Sequence, residues 1–88
     1  MQVNVLYFGM LKDLFGCESE TLDLAEGAVV NAAVRLLRAR ASNKENDMWS
    51  SLAVAVNREY ASLSIVLHDG DELALLPPVS GGSSRVWR

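Results

Sequence analysis

The sequence predicts an α+β domain in which one helix packs on one face of a β-sheet. Three observations favour this class: the first residues have strand-like character, one later stretch repeats apolar residues at helical spacing, and further strand-like segments follow it. The 88 residues correspond to a single domain with a modest core, since half of them are hydrophobic. We expect a mixed sheet of four to five strands and one main helix.

The N-terminal part predicts a strand, a short helical turn and a second strand. Residues 2–8 are rich in β-branched and aromatic side chains on both faces, which favours a strand with two partly buried surfaces. Residues 10–15 predict a helical turn closed by Gly16, because glycine adopts the left-handed conformation that ends helices. Residues 19–24 alternate polar and apolar side chains and are predicted as the second strand.

The main helix is predicted over residues 28–41. Its apolar side chains share one stripe at a spacing of 3.6 residues: Val30, Ala33, Val34, Leu37 and Ala41. Only Gly27 is available as an N-cap, so the helix start is predicted to lack a strong side-chain cap.

The C-terminal part predicts the remaining strands. Residues 52–57 favour a third strand, and a short strand is expected around Tyr60. The sequence His-Asp-Gly-Asp at 68–71 predicts a turn in which Gly70 has a positive φ. Residues 72–76 are nearly all apolar, as expected for a last strand with neighbours on both sides.

Composition excludes several classes of function. The net charge is −3, and a chain ending at Gly82 would carry −5, because six basic and all eleven acidic residues precede Ser83. This balance argues against nucleic acid and favours a basic protein partner. We find no signal peptide and no apolar run long enough to span a membrane, so a cytoplasmic protein is expected.

The interior of the chain does not predict an active site. Cys17 is the only cysteine and lies beside Glu18, so it is interpreted as an unreactive structural residue and no disulfide is expected. His68 is interpreted as an exposed turn residue. We find no nucleophile–base pair, phosphate loop or metal cluster, and therefore expect no metal and no bound cofactor on this chain.

The C-terminus is the most informative stretch. Pro77 and Pro78 cannot continue a hydrogen-bonded ladder, so they end the domain of residues 1–78. Residues 79–82 would then form a projecting arm, in which glycines fit a narrow channel and leave a carboxyl carbon unhindered. Residues 83–88 form an extension. Taken alone, the Gly/Ser run is equally consistent with a flexible linker.

Three stretches together resemble the small subunit of molybdopterin synthase, a member of the ubiquitin-like β-grasp sulfur carriers. They are VLYFG with the following LKDLFG, then AVAVN, then DGDELALLPPVSGG, and the resemblance covers about residues 2–82. Sulfur carriers of thiamine synthesis share the fold, the turn and the Gly-Gly, but they do not typically have the Pro-Pro-Val-Ser lead-in. Two departures are that Val29 replaces a frequent Thr and that this chain continues beyond the second glycine.

The resemblance implies a sulfur shuttle. A ubiquitin-activating-type enzyme would use ATP to adenylate the Gly82 carboxylate, and a sulfur donor enzyme would convert it to a thiocarboxylate. The arm would enter the synthase large subunit, which would supply the catalytic groups that pass sulfur to a cyclic pterin monophosphate. Gly81 would give clearance in the channel, and Val79 and Ser80 would line its mouth. Removal of the extension would require a processing protease.

A partner interface is predicted on the sheet face away from the helix. If Val3, Val5 and Tyr7 face the core, strand alternation puts Phe8 on the opposite face, and Leu76 lies there too. These two residues are expected to form an exposed apolar patch beside the arm. The resemblance adds Tyr60, and Pro77 and Pro78 extend the surface toward the arm.

Three hypotheses remain open on the sequence alone. The first is the pterin sulfur carrier. The second is a carrier of the same fold that serves thiamine or tRNA thiolation, or a ubiquitin-like modifier that forms isopeptides. The third is a β-grasp interaction module in which the residues after Gly82 are permanent.

Overall fold

The computed structural model describes residues 1–41 and 49–78, which include two complete helices and five strands. The elements, in chain order, are β1 Gln2–Tyr7, α1 Met10–Phe15, β2 Ser19–Asp23, α2 Val30–Ala41, β3 Ala53–Val56, β4 Glu59–Tyr60 and β5 Glu72–Leu76. The predicted α+β class, the short strand at Tyr60 and the main helix are all confirmed. The predicted arm and the extension lie outside the described residues.

One mixed sheet contains all five strands in the order β2-β1-β5-β3-β4. β1 pairs with β2 antiparallel and with β5 parallel, while β5 pairs with β3 and β3 with β4 antiparallel. β1 and β5 are parallel, and a parallel pair needs a long crossover; here the crossover contains α2. β5 has a neighbour on each side, β1 and β3, so it is a central strand, as its apolar sequence predicted.

The main core lies between the sheet and α2. Of the residues that the structure describes, fourteen buried apolar ones form it: Val3, Val5, Tyr7, Leu11, Leu22, Val30, Ala33, Val34, Leu37, Trp49, Val54, Leu67, Leu73 and Leu75. Every second residue of β1 and β5 faces this core, because successive side chains of a strand point to opposite faces of the sheet. The helical stripe predicted from the sequence supplies its other side, with Ala41 at the margin.

Local backbone chemistry sets the ends of both helices. Gly16 adopts a left-handed conformation with φ 74° and its N–H donates to the Lys12 carbonyl at 2.8 Å, so α1 ends where predicted. α2 begins at Val30, two residues later than predicted. The reason is tertiary: Val29 forms a bridge with Val66, and the Ala28 carbonyl accepts from the Leu67 N–H at 2.8 Å.

Candidate partner-binding face and the base of the arm

The sheet has a second apolar surface on the side away from α2. Ala55, Ala74 and Leu76 are buried there, with Leu6 and Ala53 partly buried against them. These residues come from β1, β3 and β5 at positions that alternate with the core residues. Because two of the three buried side chains are alanines, this surface is shallow and leaves room above it.

A groove of about 380 Å³ lies on this surface. Its lining comes from four strands and the residues that follow them: Leu6, Phe8, Ala55, Arg58, Tyr60, Glu72 and Ala74. Phe8 is 41% exposed and Tyr60 is 62% exposed. Arg58 and Glu72 form an ion pair of 3.6 Å at its border. We call this surface the outer groove.

Leu76 lies on the face where it was expected, but it is not exposed. Only 5% of it is accessible, because it packs against Ala55 and Ala74. The prediction that Leu76 joins Phe8 in an exposed patch is therefore wrong in that respect. Leu76 instead supports the floor beside the outer groove, while Pro77 is half-buried and Pro78 is exposed.

Gly9 contacts Pro77, the first residue after β5. It has a positive φ of 57°, and a Cβ built on it would lie 3.1 Å from Cγ of Pro77. A side chain at this position would therefore press on the first proline after β5. The absence of a side chain at Gly9 lets the end of β1 and the base of the arm pack closely.

The Asp69-Gly70-Asp71 turn holds the start of β5 against its neighbours. The Asp69 carboxylate accepts from the Gln2 N–H at 2.7 Å, and the Gly70 N–H donates to the Gln2 carbonyl at 2.7 Å. The Asp71 carboxylate accepts from the His68 N–H at 2.8 Å and from Asn57 Nδ2 at 3.0 Å. The turn prediction, with Gly70 at φ 87°, is confirmed.

These contacts also explain the electrostatics of Asp71. The hydrogen bond from Asn57, then the one from the His68 N–H, favour the ionised carboxylate and lower the pKa of Asp71 below 3.8. Asn57 in turn accepts from the Glu72 N–H at 3.0 Å through its side-chain oxygen. Asn57 and Arg58 both have positive φ, so this network fixes the tight turn that presents Arg58 to the outer groove.

A polar cluster of Tyr7, Glu20 and Arg40 lies at the edge of the main core. The Tyr7 hydroxyl donates to Glu20, and Arg40 donates to Glu20 at 3.0 Å. Burial and the carboxylate raise the pKa of Tyr7, so the phenol stays protonated. Burial of Glu20 opposes its ionisation, but the bonds from Tyr7 and Arg40 outweigh this and lower its pKa.

Among residues 1–41 and 49–78, neither Cys17 nor His68 joins a group of side chains that could do chemistry. Cys17 is partly buried against the core, and the His68 side chain is 77% exposed, as expected for a turn residue. In the part of the chain that the structure describes, no three His, Cys, Asp or Glu side chains lie close enough to share a metal ion. Among residues 1–41 and 49–78, no helix is long and apolar enough to cross a bilayer.

Comparison with known proteins identifies the family. The model of the ThiS family matches residues 5–82, which include the groove residues, the turn and the Gly-Gly. The chain belongs to the ThiS family. This ThiS family chain is 36% identical to a molybdopterin synthase sulfur carrier subunit from Mycobacterium tuberculosis, over 93% of this chain and 99% of the relative. The protein of that name from Chlamydomonas reinhardtii is 33% identical over 93% of this chain and all of the relative.

Other relatives of this ThiS family chain have other names or are known in complexes. Small archaeal modifier protein 1 from Haloferax volcanii is 32% identical over 85% of this chain and 94% of its own length. The crystal structure of SAMP1 from that organism superposes with a TM-score of 0.77 at 28% identity, covering 93% of this chain and all of that one. A complex of subunits 1 and 2 of the molybdopterin-converting factor from Helicobacter pylori contains a chain 33% identical, with a TM-score of 0.57 and coverage of 93% and 100%.

The resemblance to the molybdopterin synthase small subunit and the β-grasp fold are thus confirmed. The structure brings Phe8 and Tyr60 to one groove, with Pro77 at the adjacent base of the arm. The assignment of roles to Val79, Ser80, Gly81 and Gly82 concerns residues outside the described ranges and stays a prediction.

Sequence reasoning missed most of the groove's lining. Strand alternation places Leu6 and Ala74 on the face of Phe8, but the interface predicted from the sequence did not include them, nor Ala55, Arg58 and Glu72. A signal was present: Ala55 and Ala74 alternate with large core residues on two strands, which predicts a second, shallow apolar face. Arg58 could not be foreseen, because its position depends on the positive-φ turn held by Asn57 and Asp71.

Proposed function

We propose that this chain is a sulfur carrier of molybdopterin synthesis, acting in the cytoplasm as the small subunit of molybdopterin synthase. The observation that carries the proposal is its near full-length similarity to molybdopterin synthase sulfur carrier subunits from a bacterium and an alga. The described residues present an apolar groove with exposed aromatic rings and no group of side chains that could hold a metal ion, which suits a carrier whose chemistry is done by its partners.

The reactive atom is the carboxyl carbon of Gly82. An activating enzyme joins the Gly82 carboxylate to the adenylyl group of ATP and releases pyrophosphate. A sulfur donor then displaces AMP and leaves a thiocarboxylate. Because the sulfur stays tethered to the arm, its concentration at the acceptor is high, and the released carrier can be charged again.

The large subunit binds at the outer groove in this proposal. Phe8 and Tyr60 supply exposed aromatic surface, which commonly dominates the affinity of protein interfaces. Residues 79–82 follow Pro77 and Pro78 in the sequence, next to that surface, so docking would place the arm where it can enter the partner. The complex of two subunits in the Helicobacter pylori relative supports a two-component assembly. A heterotetramer of two carriers and two large subunits fits this scheme.

Activation requires trimming. Gly82 is followed by Ser83, so its carboxyl group is tied up in a peptide bond. The alternative carboxylate, on a chain that continues through Trp87, would bring bulky side chains into a channel shaped for glycine. We therefore infer that a protease cleaves after Gly82 before the carrier can be charged.

The test is to incubate the full chain and a version ending at Gly82 with the cognate activating enzyme, ATP and a sulfur source. Mass spectrometry then measures whether one oxygen has been replaced by sulfur. Thiocarboxylate is expected only on the Gly82 form. A matched Gly82→Ala version of the short form controls for the need for an unhindered terminal residue.

Two outcomes would contradict the proposal at different points. Thiocarboxylate on the intact chain would disprove the need for trimming. No thiocarboxylate on either form, with an activating enzyme that charges its own carrier normally, would disprove the carrier function.

A second candidate function is a protein modifier that forms isopeptides through Gly82. The similarity to small archaeal modifier protein 1 favours it, at 32% identity. The two functions separate in cells: a modifier yields Gly82 linked to lysines of other proteins, whereas a dedicated carrier yields only the free or thiocarboxylated form. Mass spectrometry of the protein and its conjugates from its native cell distinguishes them.

A further inference from the structure

We propose that two copies of this chain pair through the outer edges of their β2 strands, so that their sheets join into one continuous sheet. The partner is a second copy of the same chain, related to the first by a two-fold axis at Thr21. This inference does not depend on the proposed function, because no residue of β2 lines the outer groove.

β2 is the longer and less protected edge of the sheet. The strand order places β2 and β4 at the two edges, and β4 has two residues whereas β2 has five. The register of β2 with β1 runs through Ser19–Asp23 without a bulge, and the strand contains no proline and no lysine. Short length, bulges, prolines and lysines are the common features that keep edge strands from pairing. β2 therefore has an edge that is open to a further strand.

The hydrogen bonds between β1 and β2 show which backbone groups face outward. Met1 and Leu24 exchange two bonds of 2.7 Å, so theirs is a hydrogen-bonded pair. Such pairs alternate with pairs of the other type along an antiparallel ladder, so the even-numbered residues of β2 bond to β1. The N–H and C=O groups that point away from β1 belong to Ser19, Thr21 and Asp23. Among the residues that the structure describes, none is hydrogen-bonded to these groups.

A two-fold pairing centred on Thr21 satisfies all of these outward groups at once. Thr21 lies opposite Thr21 of the second copy, and Ser19 lies opposite Asp23, since the strands run antiparallel. Each such pair exchanges both of its N–H···O=C bonds, because all three residues have their backbone groups on the outer edge. A register centred on a neighbouring residue leaves one outward-facing residue of each copy beyond the end of the other strand.

The same register keeps the carboxylates apart. Glu20 lies opposite Leu22, and the charge of Glu20 is already balanced by Arg40 at 3.0 Å. Asp23 lies opposite a serine. A register centred on Glu20 would place two carboxylates directly opposite each other, which destabilises a strand pair, whereas two opposed threonines are favourable. Charge and hydrogen bonding therefore select the same register, centred on Thr21.

The paired state is compatible with the rest of the molecule. The side chains of Ser19, Thr21 and Asp23 are exposed on the sheet face away from α2. A two-fold axis perpendicular to the sheet keeps like faces together, so both α2 helices lie on one side and both outer grooves on the other. A five-residue strand pair buries less than the about 1,200–2,000 Å² of a stable interface, so the association is weak and depends on concentration.

The first test measures association of the full chain from about 10 µM to about 1 mM, a range that spans weak binding. Salt of about 0.15 M screens the repulsion between two chains of net charge −3. Sedimentation velocity should show the mass rising from one chain toward two. Amide hydrogen exchange of Ser19, Thr21 and Asp23 should slow over the same range, while that of Glu20 and Leu22 stays constant because these amides already bond to β1.

Two results of this experiment overturn the proposal. One is the mass of a single chain at every concentration. The other is association without slower exchange at Ser19, Thr21 and Asp23, which would place the contact on another surface. Neither measurement involves sulfur chemistry, so failure of the thiocarboxylation assay would remove the proposed function and leave this result intact.

A proline at the centre of the edge tests the hydrogen bonds. Thr21→Pro removes an N–H that faces the second copy but no bond to β1, and proline is tolerated at such edge positions. It should raise the dissociation constant of the pair at least about tenfold, because two central bonds are lost. Thr21→Val keeps the N–H and the side-chain shape and should change the constant by less than about threefold. Equal constants for the two variants would overturn the proposal.

Charge complementation tests the two-fold axis with variants that do not alter the backbone. Thr21→Glu opposes two carboxylates across the axis and should weaken pairing at least about fivefold. Titrating ¹⁵N-labelled Thr21→Glu with unlabelled Thr21→Lys should restore the dissociation constant to within about twofold of wild type, whereas unlabelled Thr21→Glu should not. Because Thr21 is exposed, each variant keeps its fold, which circular dichroism checks. No recovery in the mixed sample would show that Thr21 does not face Thr21 of the second copy and would overturn the proposal.

Discussion

Asp71 shows how one carboxylate orders the region that leads into β5. It accepts hydrogen bonds from the His68 N–H and from Asn57, and 14% of its side chain is exposed. Asp71→Asn removes the charge that strengthens both bonds and should lower the free energy of unfolding by about 1 kcal/mol at pH 7. Urea denaturation measures this. Asp13→Asn, on the exposed surface of α1, should change it by less than about 0.5 kcal/mol.

The same residue gives a pH dependence with a definite sign. The pKa of Asp71 is lowered in the folded state from 3.8, so its contribution is complete above 3.8 and is lost as pH falls through the lower folded value. The stability difference between wild type and Asp71→Asn should therefore be constant from about pH 7 to pH 5 and shrink toward pH 3. A difference that grows on acidification would contradict this assignment.

Gly9 and Gly27 allow the cost of a positive φ to be measured apart from the cost of a close contact. Both have positive φ, but only Gly9 lacks space for a Cβ, because Pro77 would lie 3.1 Å away. Gly27→Ala should cost about 1 kcal/mol of folding free energy through its φ alone. Gly9→Ala should cost more, about 2–3 kcal/mol, since the contact with Pro77 adds to a similar strain. Equal losses of unfolding free energy in denaturant titrations of the two variants would show that Pro77 moves aside at no cost.

Helix α2 offers two neighbouring leucines with opposite environments. Leu37 is fully buried against the sheet, and Leu36 is 40% exposed. Leu37→Ala should lower the free energy of unfolding by about 2–5 kcal/mol, because it leaves a cavity in the main core. Leu36→Ala removes the same atoms from the surface and should cost less than about 0.5 kcal/mol. Chemical denaturation of both variants tests the helix orientation, and similar losses would contradict it.

The start of α2 is satisfied by another part of the chain. The N–H groups of Val30 and Asn31 donate to the carbonyls of Ile65 and Leu63, each at 2.9 Å. These bonds replace the side-chain cap that the sequence lacks, because the first N–H groups of a helix have no partner within it. The start of α2 therefore depends on hydrogen bonds to residues distant in sequence instead of on a local side-chain cap.

At the scale of the whole molecule, we expect one face of the sheet to serve folding and the other to serve binding. One face packs on α2 and the other carries the outer groove. Phe8→Ala should weaken binding of the large subunit by about 1–3 kcal/mol, because exposed aromatic residues dominate many interfaces. Its melting temperature should change little, since 41% of Phe8 is already accessible to solvent.

Leu63→Ala is the matched control for that prediction. Leu63 is 48% exposed but lies beside α2, outside the outer groove. Isothermal titration calorimetry should show unchanged affinity for this variant. Equal loss of affinity in the two variants would mean that the partner contacts the helix side or both sides of the sheet.

The sequence by itself determined the types of the elements and the core-facing residues of α2, β1 and β5. Periodicity fixes which side chains can share a face, so α2, β1 and β5 could be oriented before any contact was known. The Asp-Gly-Asp turn and the left-handed Gly16 also follow from local conformational preference. The family resemblance follows from three short motifs that occur in a characteristic order along the chain.

Tertiary structure alone decided what depends on neighbours distant in sequence. Leu76 was placed on the correct face, but its burial results from packing against Ala55 and Ala74, which alternation within one strand cannot reveal. The cap of α2, the contact of Gly9 with Pro77 and the position of Arg58 likewise join residues that are far apart along the chain. A local pattern specifies the direction of a side chain, whereas its exposure depends on what the fold brings over it.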